Sequence, residues 1–397
     1  MTNLVTAMQM QEQYLGRRAV HAVALVATLL VLGVTVAFWR VAYHGEVSRF
    51  FHIDDPRPVP AELTESGAHV YHGEYGYDGK FFLVLAVDPL LLRPSSVAML
   101  DNPVYRSRRI LLPAVTFALS GGRPLAAEYV FVAINVIAFA ALIWLLDFLL
   151  AGAAAELRSA AICLAATATW IALLFGTAEL LETALLVGSF VAYRRARFAS
   201  VAIALALAML CRETSFLVFA AFVVTAVGQK QRRLLLHLAW AWIPAAAWNA
   251  AVWLHLRKAG IVLGERNFDW PLVGLWDAIT HPIASMGLIN KVYWILSLVV
   301  LFAVAATFVW NARAIFRTNV PMALSGLAYV ALLTCAGSAV LEYHLGFDRA
   351  FLPLFIFCGA GLVASGRYTA ARWVIAAQAL VTLGWLLHLG VKEFRVI

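Results

Sequence analysis

Gly73-Glu74-Tyr75-Gly76-Tyr77-Asp78-Gly79-Lys80-Phe81-Phe82-Leu83-Val84-Leu85-Ala86-Val87-Asp88-Pro89 is the stretch on which the reading of this chain turns. Its first half sets glycines and tyrosines around one carboxylate, Asp78. Gly76 and Gly79 permit tight turning and close approach of a ligand, and Tyr75 and Tyr77 can stack on a sugar or hydrogen-bond to one. Its second half, Phe81 to Val87, is apolar without a break. Seven residues do not cross a bilayer, which takes about 20. As a helix, the run is expected to lie along the membrane surface and hold Asp78 near the lipid headgroups.

Outward from this stretch the chain is apolar. Of 397 residues, 63% are hydrophobic and 13% charged, against about 25% charged in soluble domains. The expectation is an all-α polytopic membrane protein with eleven spans. These are Ala19–Tyr43, Leu125–Leu150, Ser159–Phe175, Leu180–Tyr193, Phe198–Leu210, Thr214–Val227, Leu234–Leu256, Asn290–Trp310, Val320–Leu341, Ala350–Ser365 and Trp373–Gly390. The first is too long for a cleaved signal peptide and reads as a retained span. The net charge of +8 sits in short loops: Arg17/Arg18, Arg158, Arg194/Arg195/Arg197, Lys230/Arg232/Arg233, Arg313/Arg317 and Arg367/Arg372. With eleven spans all of these fall on one side, as the positive-inside bias requires. That distribution argues against nucleic-acid binding and puts the N-terminus in the cytoplasm.

The same topology makes residues 44–123 a large first external loop, with nine of the chain's 22 acidic residues. Within it, Arg109–Leu119 is a second short apolar run, stopped by Gly121-Gly122 and read as a second interfacial helix. The four cysteines, Cys163, Cys211, Cys335 and Cys358, lie in or beside apolar runs at no metal-site spacing, and read as small buried hydrophobes.

Several polar groups are candidates for chemistry on the external side. Asp78, partly desolvated, suits a general base for an acceptor hydroxyl; equally, it suits a turn residue favoured by a helix dipole. Asp54 and Asp55, with His52, His69 and His72 nearby, leave room for a divalent metal, or form a solvated acidic loop leading into prolines. Tyr105-Arg106-Ser107-Arg108-Arg109 offers guanidinium forks for a phosphate, or generic attraction to anionic headgroups. Glu179 and Glu182 share a helical face and either pair with Arg212 or leave it for a phosphate, with Glu213 orienting it. Asp348-Arg349 repeats the theme of a cation at a helix start. No P-loop, dinucleotide fingerprint, His-Glu-x-x-His or Gly-x-Ser-x-Gly elbow occurs.

Gly76-Tyr77-Asp78-Gly79-Lys80-Phe81-Phe82, Asp88-Pro89, Tyr105-Arg106 and Arg109-Ile110-Leu111-Leu112-Pro113 together resemble the first-loop signature of bacterial polytopic proteins tied to cell-surface glycopolymer formation. Those in turn resemble the GT-C superfamily of membrane glycosyltransferases. Glu182, Arg212-Glu213-Thr214 and Asp348-Arg349 with Pro353 fit the same pattern, whereas Lys80 stands where a glutamine is expected. The resemblance implies a helical bundle in the bacterial inner (plasma) membrane with its site facing the periplasm or exterior. It implies a polyprenyl-phosphate sugar donor and a glycan, lipid or protein acceptor. Asp78 is then the general base, with Asp54 and Asp55 as alternates. Tyr77, Lys80, Tyr105, Arg106, Arg109, Glu182, Arg212, Glu213 and Arg349 are then the substrate-binding residues. A transporter or flippase for lipid-linked sugars, with Asn135, Asn249 and Gln378 as its mid-membrane polar groups, is the rival expectation. A non-catalytic glycopolymer assembly subunit is a third.

Overall fold

The computed structural model describes residues 21–54, 57–72, 76–151, 158–257, 267–282 and 287–394. Among them helix is the only extended regular structure, joined by two isolated β-bridges, Asp54 to Tyr71 and Phe268 to Ala336. The order begins with α1 (His21–Ala42), whose last turn widens into a π-helix over Phe38–Ala42. Five short or medium helices and one long one follow: α2 (Ala61–Glu65), α3 (Gly79–Val87), α4 (Pro94–Met99), α5 (Pro103–Ser107), α6 (Leu111–Ser120) and then α7 (Pro124–Leu150). Next come α8 (Arg158–Ala165), α9 (Thr167–Leu174), α10 (Glu179–Arg194), α11 (Phe198–Cys211), α12 (Ser215–Gly228), α13 (Arg232–Ala241) and α14 (Ile243–Leu256). The chain closes with α15 (Val273–Thr280), α16 (Leu288–Thr318), α17 (Val320–Thr334), α18 (Ser338–Leu341), α19 (His344–Ala350), α20 (Leu352–Ala364) and α21 (Tyr368–Phe394).

Among the described residues, five helical segments are long and apolar enough to cross a membrane: His21–Ala42, Pro124–Leu150, Arg232–Leu256, Leu288–Thr318 and Tyr368–Lys392. A sixth appears if α19 and α20, bent by 51°, are taken as one broken span. Their outer faces carry bare Leu, Ile and Val, which a water-facing helix does not present in such numbers. This is a membrane-embedded protein. The other expected spans are shorter helices, and the run Ser159–Phe175 is not continuous. It breaks at Ala166, whose ψ of 114° leaves the helical region. The carbonyls freed by the break are taken up locally, as backbone inside a membrane protein requires. Thr169 Oγ1 donates to Cys163 O and Ala166 O, Trp170 Nε1 to Leu164 O, and Thr382 Oγ1 to Ala165 O.

At the centre stands α10, apolar over most of its circumference and with no exposed residue before Arg194. It packs against α7, α9, α11, α12 and α20. Arg194 caps the far end of α7 through the Leu149 carbonyl, which anchors the basic end of the bundle. The opposite end of α10 begins at Glu179 and faces the segment 76–80.

That segment is fixed from below. Asp54 takes the ammonium of Lys80 on Oδ1 and the Gly76 N–H on Oδ2, at 2.8 Å for the latter. Both charged side chains are buried. The chain then enters α3, as the apolar run predicts. Yet all nine residues of α3 are covered by protein, by α6, α7 and the 3-10 turn Val47–Phe51 among others. The expected helix is present, but it is enclosed on every side rather than laid on lipid by one face. α6 ends at Gly121 (φ +63°) and Gly122 (φ +70°), the left-handed stop that the glycine pair announced.

A cluster of arginines around Asp78

Asp78 occupies the position just ahead of α3, where a helix dipole would favour it, but its carboxylate does not cap the helix. Instead Oδ2 receives Arg106 Nη1 at 2.8 Å and Arg349 Nη2. Two glycines let this turn seat so deeply. A Cβ on Gly76 would fall 2.4 Å from the Asp54 carboxyl carbon, and one on Gly79 would fall 2.3 Å from the Phe175 carbonyl oxygen.

Arg106 comes from α5, a five-residue helix started by Pro103 and capped by Asn102, whose side chain accepts the Tyr105 N–H at 3.1 Å. The residue before the cap, Asp101, grips Arg106 in a two-point fork at 2.8 and 2.6 Å. The guanidinium also lies 4.5 Å from the Phe81 ring centre. Arg349, near the end of α19, lies 4.9 Å from the Tyr77 ring centre and reaches Glu179 at 3.4 Å. Glu179 in turn takes Arg212 Nη1 at 2.8 Å. The chain of charge therefore runs Asp101, Arg106, Asp78, Arg349, Glu179, Arg212.

Beside it, Arg109 is forked onto Glu213 at 2.8 and 3.2 Å and also bonds to the Tyr105 hydroxyl. Glu213 is thus the partner of Arg109, and Glu179 is the partner of Arg212. The alternative in which Glu213 orients Arg212 is replaced by this pairing. Glu182 lies one turn further into α10 and accepts from Ser215 Oγ at 2.8 Å and Thr214 Oγ1 at 3.1 Å, with Tyr329 Oη at 3.5 Å.

These contacts set the electrostatics. Burial alone would raise the carboxyl of Asp78, but Arg106 and Arg349 outweigh it and hold the group ionised far below the ordinary carboxylate range. Burial opposes the charge of Glu213 likewise, and Arg109 brings it down to about 2. Burial raises the Tyr77 phenol, whose hydroxyl donates to the Leu345 carbonyl at 2.8 Å. Four arginines (106, 109, 212 and 349) meet four carboxylates (Asp78, Asp101, Glu179 and Glu213), so that cluster is formally neutral. It is not fully satisfied, however: Nε of Arg212 and of Arg349 and Oε2 of Glu179 are buried without a hydrogen-bond partner, as is Oε2 of the neighbouring Glu182.

The expected residues thus divide into groups. Asp78, Tyr77, Arg106 and Arg349 form the centre, and Arg212 joins them through Glu179. Tyr105, Arg109 and Glu213 make an adjoining clamp, and Glu182 a hydroxyl-bound carboxylate. Lys80 and Asp54 are paired with one another beneath the turn, and Asp55 lies outside the described residues. His52 is sandwiched between the rings of Tyr71 and Phe175, with centroids 5.1 and 4.3 Å away, and burial pushes it down to about 3. Among the described residues no three His, Cys, Asp or Glu side chains group so as to hold a metal ion.

Two contributors were not among the expected binding residues. Glu179 was visible as an acid on the face of Glu182. Asp101 had a signal too, an acid directly ahead of an Asn-Pro helix start and five residues before Arg106.

An apolar groove of about 220 Å³ adjoins the end of α5 at Ser107, lined also by Pro89, Leu91, Trp248, Val252 and Leu256 among others. Trp248 Nε1 donates to the carbonyl of Ser107, the residue after Arg106, at 2.7 Å. Groove and charge cluster therefore share one short helix. Comparisons of the chain with protein families, with curated proteins and with solved structures gave no match.

Proposed function

We propose that this protein is a membrane glycosyltransferase of the GT-C kind, moving a sugar from a polyprenyl-phosphate donor to a hydroxyl of a cell-surface glycan, lipid or protein. In this reading the shorter helices complete the eleven crossings, and the Asp78 end faces the exterior. The observation that carries it is Asp78 held between Arg106 and Arg349, with Arg106 on a short helix that also borders an apolar groove. A donor with a phosphate head and a long hydrocarbon tail matches that pairing of features.

The acceptor oxygen attacks the anomeric carbon as the bond from that carbon to the phosphate oxygen breaks. The hydroxyl proton passes to Asp78, and the departing polyprenyl phosphate keeps the electron pair. A carboxylate bound by two arginines is a weak base. The phosphate competes for the same guanidinium groups, and once Arg106 and Arg349 turn to it, Asp78 regains basicity. The arginines then stabilise the leaving anion. No step in this scheme requires a metal.

Incubating purified protein in detergent with a panel of polyprenyl-phosphate sugars and acceptors tests the reading. Release of polyprenyl phosphate by the wild type and not by Asp78→Asn is the expected result. Equal release by both removes Asp78 from the chemistry.

A second reading, a carrier for lipid-linked sugars, is favoured by α7. Asn135 is fully buried there with neither amide atom paired, and Glu128 lies two turns away with Oε1 unpaired. Movement of a labelled lipid-linked sugar across vesicles with no turnover selects that reading.

A further inference from the structure

The segment 267–282 is strapped to the end of α17 by its backbone. Asp269 N–H donates to Cys335 O at 2.9 Å, Leu272 N–H to Thr334 O at 2.6 Å, and Gly337 N–H to Asn267 O at 2.9 Å. α15 then docks by its smallest residues. Gly274 and Ala278, one turn apart, are its buried positions, and a Cβ on Gly274 would sit 2.2 Å from the Ala336 carbonyl oxygen.

Docking through the small face leaves the large one bare. Trp276 is 67% exposed and Trp270 is 79% exposed, with Phe268, Leu272, Val273 and Ile279 also exposed around them. Leu272 holds a φ of +67° to enter the helix, a left-handed conformation that disfavours a non-glycine residue. The apolar face is therefore held outward by the strap rather than left over from poor packing.

We propose that this element is a membrane-interface anchor whose partner is the headgroup and upper acyl-chain layer of the bilayer. Three observations select lipid as the occupant. The element is tied to the end of α17, hence to the level where that apolar helix stops. α16 begins eight residues after α15 with Leu288, Ile289 and Val292 exposed in its first turns, so bare apolar surface continues into a membrane span. Trp276 on α15 and Trp270 in the turn that leads into it match the composition of the interfacial layer. α15 also packs on α18, which packs on α19, the carrier of Arg349. The anchor and the Asp78 cluster thus belong to the same end of the molecule, which sets the cluster near the depth of lipid phosphates. The inference needs no assumption about glycosyl transfer.

The test places the full chain in vesicles of phosphatidylethanolamine and phosphatidylglycerol. It compares ordinary acyl chains with chains brominated near the carbonyl end or near the methyl end. The Trp270→Phe/Trp276→Phe variant keeps apolar aromatic side chains at both exposed positions, and subtracting its emission from that of the wild type isolates the two indoles. Carbonyl-end bromine should quench this difference emission about twofold or more, and methyl-end bromine less, for a side chain seated at the acyl boundary. Difference emission untouched by either lipid but quenched by aqueous acrylamide overturns the proposal in favour of a water-facing surface. Emission untouched by lipid and acrylamide alike, with a cross-linked dimer, overturns it in favour of a second copy of the chain.

Discussion

Arg349 and Asp78 meet across 271 residues of sequence, through a hydrogen bond from a guanidinium nitrogen to Oδ2. The same guanidinium reaches Glu179, and Asp78 also holds Arg106. Each arginine on Asp78 thus keeps a second carboxylate. Replacing Asp78 by Asn should accordingly leave both cations partnered and the fold intact, while sugar transfer falls about 10²-fold or more, the usual loss when a general base is removed. Turnover measured beside a thermal melt in detergent separates the two effects. A melt that collapses along with turnover would mean that Asp78 mainly holds the structure.

The clamp of Arg109 on Glu213 behaves differently, because Arg109 is buried and has no second carboxylate in the cluster described. Glu213→Gln should destabilise the protein by on the order of 1–3 kcal/mol, since it strands a charge. Arg109→Met/Glu213→Gln, which removes both charges, should recover most of that loss. A double variant as unstable as the sum of the single ones would show that the two side chains act independently.

Gly79 offers a test of the seating of the turn. Gly79→Ala drives a methyl group into the Phe175 carbonyl and the Phe51 backbone and should cost about 1–3 kcal/mol or abolish folding. Gly188→Ala, in α10, meets nothing nearer than Leu145 Cδ1 at 3.8 Å and serves as the neutral comparison. Equal melting temperatures for the two variants would contradict the packing described.

His52 predicts an acid limb of stability. Its ordinary value is 6.5 and burial holds it to about 3, so the folded state keeps the ring neutral where the unfolded chain would protonate it. This contribution is complete above pH 6.5 and declines as the pH falls toward 3. Melting temperature against pH should therefore slope downward through that window. His52→Asn, which tolerates the left-handed backbone at this position (φ +45°), should start lower through loss of ring stacking but show a shallower slope. An unchanged slope would assign the acid sensitivity elsewhere.

Much of the site was legible because it is written in local signals. Glycines around Asp78 and a Gly-Gly stop after α6 each act over a few residues. What was not legible depends on pairing at long range. Nothing near Lys80 shows that Asp54 is folded beneath it, so both looked available for substrate. Nor does any local feature tell Arg212 that its acid is Glu179 while Arg109 takes Glu213. The break at Ala166 also lacks a proline or glycine. Its makers are threonines, Thr167, Thr169 and Thr382, whose hydroxyls serve the freed carbonyls or each other, and Thr382 lies in another helix.

The lengths of α11 and α12 have a consequence for the surrounding lipid. Each has 14 residues, about 21 Å at 1.5 Å per residue, against a hydrocarbon layer of about 30 Å. Ile203, Val224 and Val227 face outward from these helices; if both cross the membrane, as the proposed function has it, acyl chains beside them must shorten or tilt to match. On the proposed eleven-span reading, the bilayer is then pinched at the flank where Arg212 and Glu213 join the two helices. A lipid approaching there has less distance to travel out of its leaflet than one approaching beside the 27-residue α7.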